Sequence, residues 1–210
     1  MINQDQYVIS IGKEQLAALP IMNYPASITV VDTAEAAHLA LKELALCSEI
    51  GFDTETKPSF RKGARHKVAL MQLSTHDRCY LFRLNKIGIC SELKNLLQNP
   101  QIIKVGLSVH DDFHALSRTE NIEPQGFVDL QQLVKKFGFT DISLQKIYAI
   151  IFGERISKSQ RLTNWEADSL TGAQQAYAAL DAWACLKIYD YLQAGKFNSE
   201  TSEYRHIPQS

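Results

Sequence analysis

The chain has 210 residues, 45% hydrophobic and 21% charged, with a formal net charge of -1. That length buries one well-formed core and favours a single domain. A near-neutral charge excludes a globally basic nucleic-acid binder, so contact with a polyanion has to come from local patches. No apolar run approaches the roughly 20 residues of a membrane-spanning helix, and no membrane association is expected. The first residues lack the basic region and apolar stretch of a secretory signal. Cys47, Cys79, Cys90 and Cys185 are widely spaced and form no Cys-x-x-Cys pattern. They read as reduced thiols of a cytoplasmic protein.

Residues 1–26 read as a loosely structured N-terminal arm, broken by Pro20 and Pro25. A short strand is expected over 27–31, then a helix from Asp32 or Thr33 to about Leu46. Strands follow over 49–54, 67–74 and 78–82, the last two joined by the polar turn Thr75-His76-Asp77. A helix over 91–98 and a short strand over 102–105 come next. Helices are expected over 108–118, 130–137, 143–151 and 171–192, and a polar, frayed tail over 195–210. Strands come first and then alternate with helices, which predicts an α/β fold with a mixed sheet flanked by helices, in one domain over 27–194.

Several acids sit among apolar neighbours, where a carboxylate is costly unless something cationic or hydrogen-bonding meets it. On the strand Ile-Gly-Phe-Asp-Thr-Glu, Gly51, Asp53 and Glu55 share one face and Ile50, Phe52 and Thr54 the other. Two carboxylates two residues apart can turn toward one ion, and Gly51 leaves room beside them. In the middle helix Ser108 and Asp111 fit a capping box. Val109, Asp112, Phe113 and Leu116 form the inward stripe, so Asp112 faces the interior while Asp111 caps. His110 and His114 read as surface histidines. In the last helix Asp181 is the acid of the apolar stripe, and Tyr177 lies one turn before it on the same face. Clustered acids of this kind suit a divalent metal and phosphoryl-transfer chemistry.

Together these segments resemble the DEDD exonuclease superfamily, of the tyrosine-containing type. The resemblance rests on Phe-Asp53-Thr-Glu55-Thr with Val-Ala-Leu-Met-Gln72-Leu after it, on Lys-Val-Gly106 running into Asp112-Phe-His-Ala-Leu116, and on Tyr177-Ala-Ala-Leu-Asp181-Ala. Lys158-Ser159 and Asn164-Trp165 also look like the family's pattern. The stretch His-Lys-Val-Ala-Leu-Met-Gln-Leu with Arg-Cys-Tyr-Leu-Phe looks closer to the exonuclease domain of Werner-type proteins than to RNase D.

The resemblance implies a ribonuclease H-like fold and a 3′–5′ exonuclease that releases nucleoside 5′-monophosphates with two Mg²⁺ or Mn²⁺ ions. Asp53, Glu55 and Asp181 would hold the first ion, and Asp53 with Asp112 the second. Tyr177 would position the attacking water. The substrate would be DNA or RNA with a free 3′ end. An RNase D-like trimming of RNA 3′ ends shares the mechanism. A non-catalytic nucleic-acid-binding protein on the same fold is the contrasting reading, which a replaced carboxylate would have favoured.

The loop after the first motif is strongly basic for a neutral chain: Lys57-Pro-Ser-Phe60-Arg61-Lys62-Gly-Ala-Arg65-His66-Lys67. Arg61, Lys62 and Arg65 could cradle backbone phosphates, with Phe60 stacking on a base. Lys158, with Arg155 and Arg161, forms a second candidate patch. Trp165 reads as core.

Overall fold

Runs of β-branched and apolar residues build strands β2 (Ser27–Val31), β3 (Glu49–Thr56), β4 (Val68–Ser74), β5 (Arg78–Phe82), β6 (Ile103–Gly106) and β7 (Phe127–Asp129). The structure, a computed structural model, describes residues 7–59 and 66–207. The described residues form a six-stranded sheet in the order β2-β5-β4-β3-β6-β7. β3, β4 and β5 run antiparallel, β2 lies parallel to β5, and β6 and β7 continue parallel to β3. The strand at Phe127–Asp129 was not expected, because three residues are too few to show a periodicity.

Every residue of β4 is buried, as expected for a strand covered on both faces. On one face lie α2 (Ala34–Leu44), α4 (Ser91–Gln98) and α5 (Val109–Leu116), whose Leu41, Leu44, Leu93, Leu97 and Val109 pack with Ile50 and Phe52. Thr33 caps α2 by accepting a hydrogen bond from the Ala36 N–H. On the other face lies α8 (Gly172–Gln193), opened by a capping box of Thr171 and Gln174. Its alanines 178, 179 and 182 pack against Leu70, Leu81 and Trp165. Its second half packs with α6 (Leu130–Lys135) and α7 (Leu144–Phe152) in a separate cluster around Ile147, Tyr148 and Ile188.

Small residues set how closely α8 approaches the sheet. A Cβ on Gly51 would lie 2.0 Å from the Ala182 carbonyl oxygen. On the opposite face a Cβ on Gly106 would lie 2.6 Å from Val109 and 2.9 Å from the Phe52 carbonyl oxygen. The room at Gly51 is therefore taken by the backbone of α8.

Both chain ends differ from the expected arm and frayed tail. β1 (Val8–Ile9) pairs antiparallel with β8 (Arg205–His206), and α1 (Lys13–Ala18) follows β1. Ile9, Ile11 and Tyr204 are buried in the cluster around Tyr148, and the Arg205 guanidinium lies 3.8 Å from the Tyr7 ring centre. A few apolar anchors in a polar segment suffice to dock it. The capping box proposed for α5 is not formed. Ser108 adopts a left-handed conformation (φ 58°), its hydroxyl makes no capping bond, and its N–H donates to Asp129 at 3.2 Å. Asp129 also caps α6, so one carboxylate ties both helix starts.

Gly51→Ala should be destabilising by about 3 kcal/mol, because backbone carbonyl rather than a flexible side chain blocks the new methyl. Denaturant unfolding of the purified variant measures this.

Candidate active site

β3 carries two acids at its outer end. β6 pairs with β3 only over Glu49–Gly51, so the remainder of β3 projects past its parallel neighbour. On its other side β3 keeps its pairing with β4, with a register shift between Glu55 and Thr56. Such a bulge re-aims side chains at a strand end. Asp53 and Glu55 lie on the face covered by α8. Because α8 rides against Gly51, Asp181, the residue before Ala182, is brought to them. Carboxylate oxygens of Asp53, Glu55 and Asp181 lie within 4.8 Å of one another and form a group that could hold a metal ion.

Asp112 approaches from the opposite face: it lies outside that group of three, but its charge acts on Asp53 and Glu55. It is partly buried while Asp111 is exposed, as the helical stripe separates them. Its Oδ1 accepts a hydrogen bond from the Thr54 hydroxyl at 2.5 Å. Thr54 points away from Asp53 along the strand and so serves as a bridge to α5. Only its place on the inward face could have signalled that role.

Tyr177 stands one turn before Asp181 and donates its hydroxyl to that carboxylate. Its ring lies 6.1 Å from that of the fully buried Trp165. Tyr177, Asp53 and Asp181 line a cleft of about 330 Å³ together with Lys158, Arg161 and Gln131. The opposite wall comes from the start of α7, at Ser143, Leu144 and Gln145, which no motif in the chain marks as part of the site. Lys158 and Arg161 are exposed at the rim. Arg155 is elsewhere: its Nε donates to the Leu19 carbonyl, and its backbone bonds Pro20 and Met22. It fastens the N-terminal segment and leaves the proposed basic patch.

Phe60, Arg61, Lys62 and Arg65 lie outside the described residues. The described flanks of that loop meet Glu166, which lies 3.3 Å from Lys57 and 3.8 Å from His66. His110 and His114 are exposed on α5 with their Nε2 atoms 2.9 Å apart.

The acids perturb one another. Burial pushes the Asp53 carboxyl well above its usual range, and the charges of Asp181, Asp112 and Glu55 push the same way. Burial also raises Glu55 to about 8, with Asp181 and Asp112 adding to it and Arg161 opposing. Asp112 is raised to about 7 by burial, against the Thr54 hydrogen bond. Asp181 is raised to about 7 by burial, against the Tyr177 hydrogen bond and Lys158. Rim cations thus offset the crowding only in part. Divalent cations bound by oxygen ligands fit such a group, since they favour carboxylates over thiols. Burial and the adjacent carboxylates push the Tyr177 phenol up, so it stays a hydroxyl at neutral pH.

Fold and site define the class: a ribonuclease H-like α/β domain with an acidic cleft at the end of its central strand. Residues 28–195 match the family described as 3′-5′ exonuclease, and the chain belongs to that family, whose chemistry is hydrolysis of phosphodiester bonds. It is 31% identical over 184 residues to the mouse (Mus musculus) bifunctional 3′-5′ exonuclease/ATP-dependent helicase WRN, an alignment covering 83% of this chain and 13% of that protein. Among solved structures, the Aedes aegypti Nibbler EXO domain superposes with a TM-score of 0.74 at 23% identity, covering 85% of this chain and 96% of that one. Escherichia coli RNase D, an exoribonuclease involved in structured RNA processing, superposes with a TM-score of 0.72 at 26% identity, covering 82% of this chain and 45% of that one. The resemblance to Werner-type and RNase D exonuclease domains is thereby borne out. The chain spans a small part of the curated relatives it matches, 13% of the mouse protein and 26% of the Aedes aegypti exonuclease mut-7 homolog.

The raised carboxyls set a sign for stability. Unfolded carboxyls titrate near pH 4, while Glu55, Asp112 and Asp181 titrate near 7 to 8 in the fold. Across that window the folded state binds more protons than the unfolded one. Their contribution to stability in EDTA should therefore be full below about pH 4 and be lost as pH rises to 7 or 8. Asp53→Asn relieves the crowding and should flatten the fall. Asp190, whose carboxyl is raised to about 6 by burial and by the adjacent Glu49, contributes in the same direction to both proteins. The difference between the two melting curves across pH is the measurement.

Proposed function

We propose that this domain removes nucleotides from the free 3′ ends of DNA or RNA and releases nucleoside 5′-monophosphates, using two Mg²⁺ or Mn²⁺ ions. The observation that carries the reading is the triad of Asp53, Glu55 and Asp181 within 4.8 Å, with Tyr177 lining the same cleft and the Asp112 charge acting on Asp53 and Glu55 from α5. Asp53, Glu55 and Asp181 would hold one ion, and Asp53 with Asp112 the other. Bound there, the ions supply an activated water and relief of charge on the leaving oxygen.

The chain's own residues do the remainder. Tyr177 keeps its proton and is anchored to Asp181, so its hydroxyl can orient a water in the cleft. Thr54 fixes the Asp112 carboxylate by a hydrogen bond. Lys158 and Arg161 place positive charge at the cleft rim, where a backbone phosphate has to pass. Phe60, Arg61, Lys62 and Arg65 are proposed as basic and aromatic contacts to the nucleic-acid substrate. DNA and RNA differ at the sugar 2′ position, and contacts there decide the preference. Buried thiols at Cys79 and Cys185 support a reducing, cytoplasmic setting for this activity.

The test uses 3′- and 5′-labelled DNA and RNA oligonucleotides, single- and double-stranded, with Mg²⁺, Mn²⁺ or EDTA. Stepwise shortening from the 3′ end with metal and none in EDTA is expected. Asp53→Asn and Asp181→Asn should remove nearly all of it while leaving folded protein; wild-type turnover in either would overturn the assignment.

Neighbouring acids separate in the same assay. Asp112→Ala should abolish turnover, whereas Asp111→Ala should leave it and cost about 0.3–1 kcal/mol of stability from the helix-dipole interaction. Tyr177→Phe keeps the ring and should lower kcat about a hundredfold with KM little changed, because orienting water counts in the transition state. A changed KM at constant kcat would make Tyr177 a substrate contact instead.

A further inference from the structure

Gln72 is fully buried in the middle of β4, and both polar atoms of its amide lack a hydrogen-bond partner. A buried polar group without a partner costs about 1–3 kcal/mol. Native proteins keep few of them, and each calls for an explanation. Leu70, the neighbour on the same face of β4, packs against the alanines of α8, so packing alone would be served by a Leu or Met here.

Register supplies the explanation. Gln72 is the direct antiparallel partner of Asp53, and Leu70, two residues earlier, is the partner of Glu55. Direct partners in an antiparallel pair share a face with Cβ atoms about 4.5–5.5 Å apart, and diagonal partners lie about 7–8 Å apart. The Gln72 amide therefore starts beside Asp53 and one diagonal step from Glu55, beneath α8. On its other side the β5 partner is Leu81, which offers nothing polar. Ser74, the remaining polar side chain on this face of β4, already donates its hydroxyl to the Thr75 carbonyl. A glutamine amide has two N–H donors, and a carboxylate that ligates a metal keeps lone pairs for a further donor.

We propose that Gln72 is a positioning residue for the metal site: its amide N–H holds the Asp53 carboxylate from the sheet side in the orientation that binds the ions. The proposal rests on the metal-dependent reading given above. In this role Gln72 touches neither nucleic acid nor the reacting atoms. It limits the rotation of the one carboxylate assigned to both ions, so its loss should weaken both at once.

The test measures Mn²⁺ binding to the full chain without nucleic acid, by calorimetry and by the metal-induced rise in melting temperature. Wild type, Gln72→Met, Gln72→Asn and Asp53→Asn are compared. Gln72→Met keeps the volume and removes the orphaned amide. It should melt in EDTA at or above the wild-type temperature, yet bind Mn²⁺ about 10- to 100-fold more weakly. Gln72→Asn keeps an amide but withdraws it by one methylene, and should also bind more weakly, which covers the case that the Met variant fails to fold. In the cleavage assay kcat should fall at matched Mn²⁺, with KM for the oligonucleotide little changed. Wild-type Mn²⁺ affinity in a folded Gln72 variant, with affinity lost in Asp53→Asn, would overturn the role of Gln72 alone. Wild-type affinity in Asp53→Asn would overturn the metal site itself.

Discussion

The approach of α8 to the central strand is the contact on which the site depends. Gly51 lets the Ala182 carbonyl lie where any Cβ would collide. Asp181 precedes Ala182 by one residue, and Asp53 follows Gly51 by two on the same face of β3. Backbone contact at one point therefore sets the separation of carboxylates on two elements. Close packing of protein interiors makes such a spacing stiff. The alanines of α8 extend this tight face along the sheet, while its second half packs against α7 and closes the cleft from the other side.

That geometry works against the electrostatics of the carboxylates. Carboxylates withdrawn from water resist ionisation: burial raises each of the four, and neighbouring carboxylates add to it most at Asp53 and Glu55. Lys158 and Arg161 counter this from the rim without ion pairs to the triad. The fold gives up stability to hold acids close together, the expected signature of a site that binds cations. Gly51, Thr54 and Asp129 belong to the same arrangement: one admits the helix, one bridges to Asp112, and one ties the starts of α5 and α6.

Much of this was legible in the chain. Period-two alternation put Asp53 and Glu55 on one face of a strand, and the 3.6-residue stripe separated Asp112 from Asp111 and joined Tyr177 to Asp181. Those are properties of local backbone geometry, which holds wherever the element forms. Two local readings gave way. Ser108 matched a capping box, but the turn from β6 into α5 runs against Phe52, and Ser108 takes a left-handed conformation there. The ends read as loose because their composition is polar, yet Ile9, Ile11 and Tyr204 found a core made by residues far away in sequence.

The sequence by itself determined which acids face inward and on which elements they ride, because strand and helix periods are set by the nearest few residues. Only the tertiary structure decided that three of those acids share one point, that Thr54 reaches Asp112 from the far face, that Arg155 serves the N-terminal segment rather than the cleft, and that Gln72 is paired in register with Asp53 while its buried amide has no hydrogen-bond partner. Each of these depends on strand register or on the distance between a helix and the sheet. Such quantities are fixed by the close packing of segments remote in the chain, and no local pattern contains them.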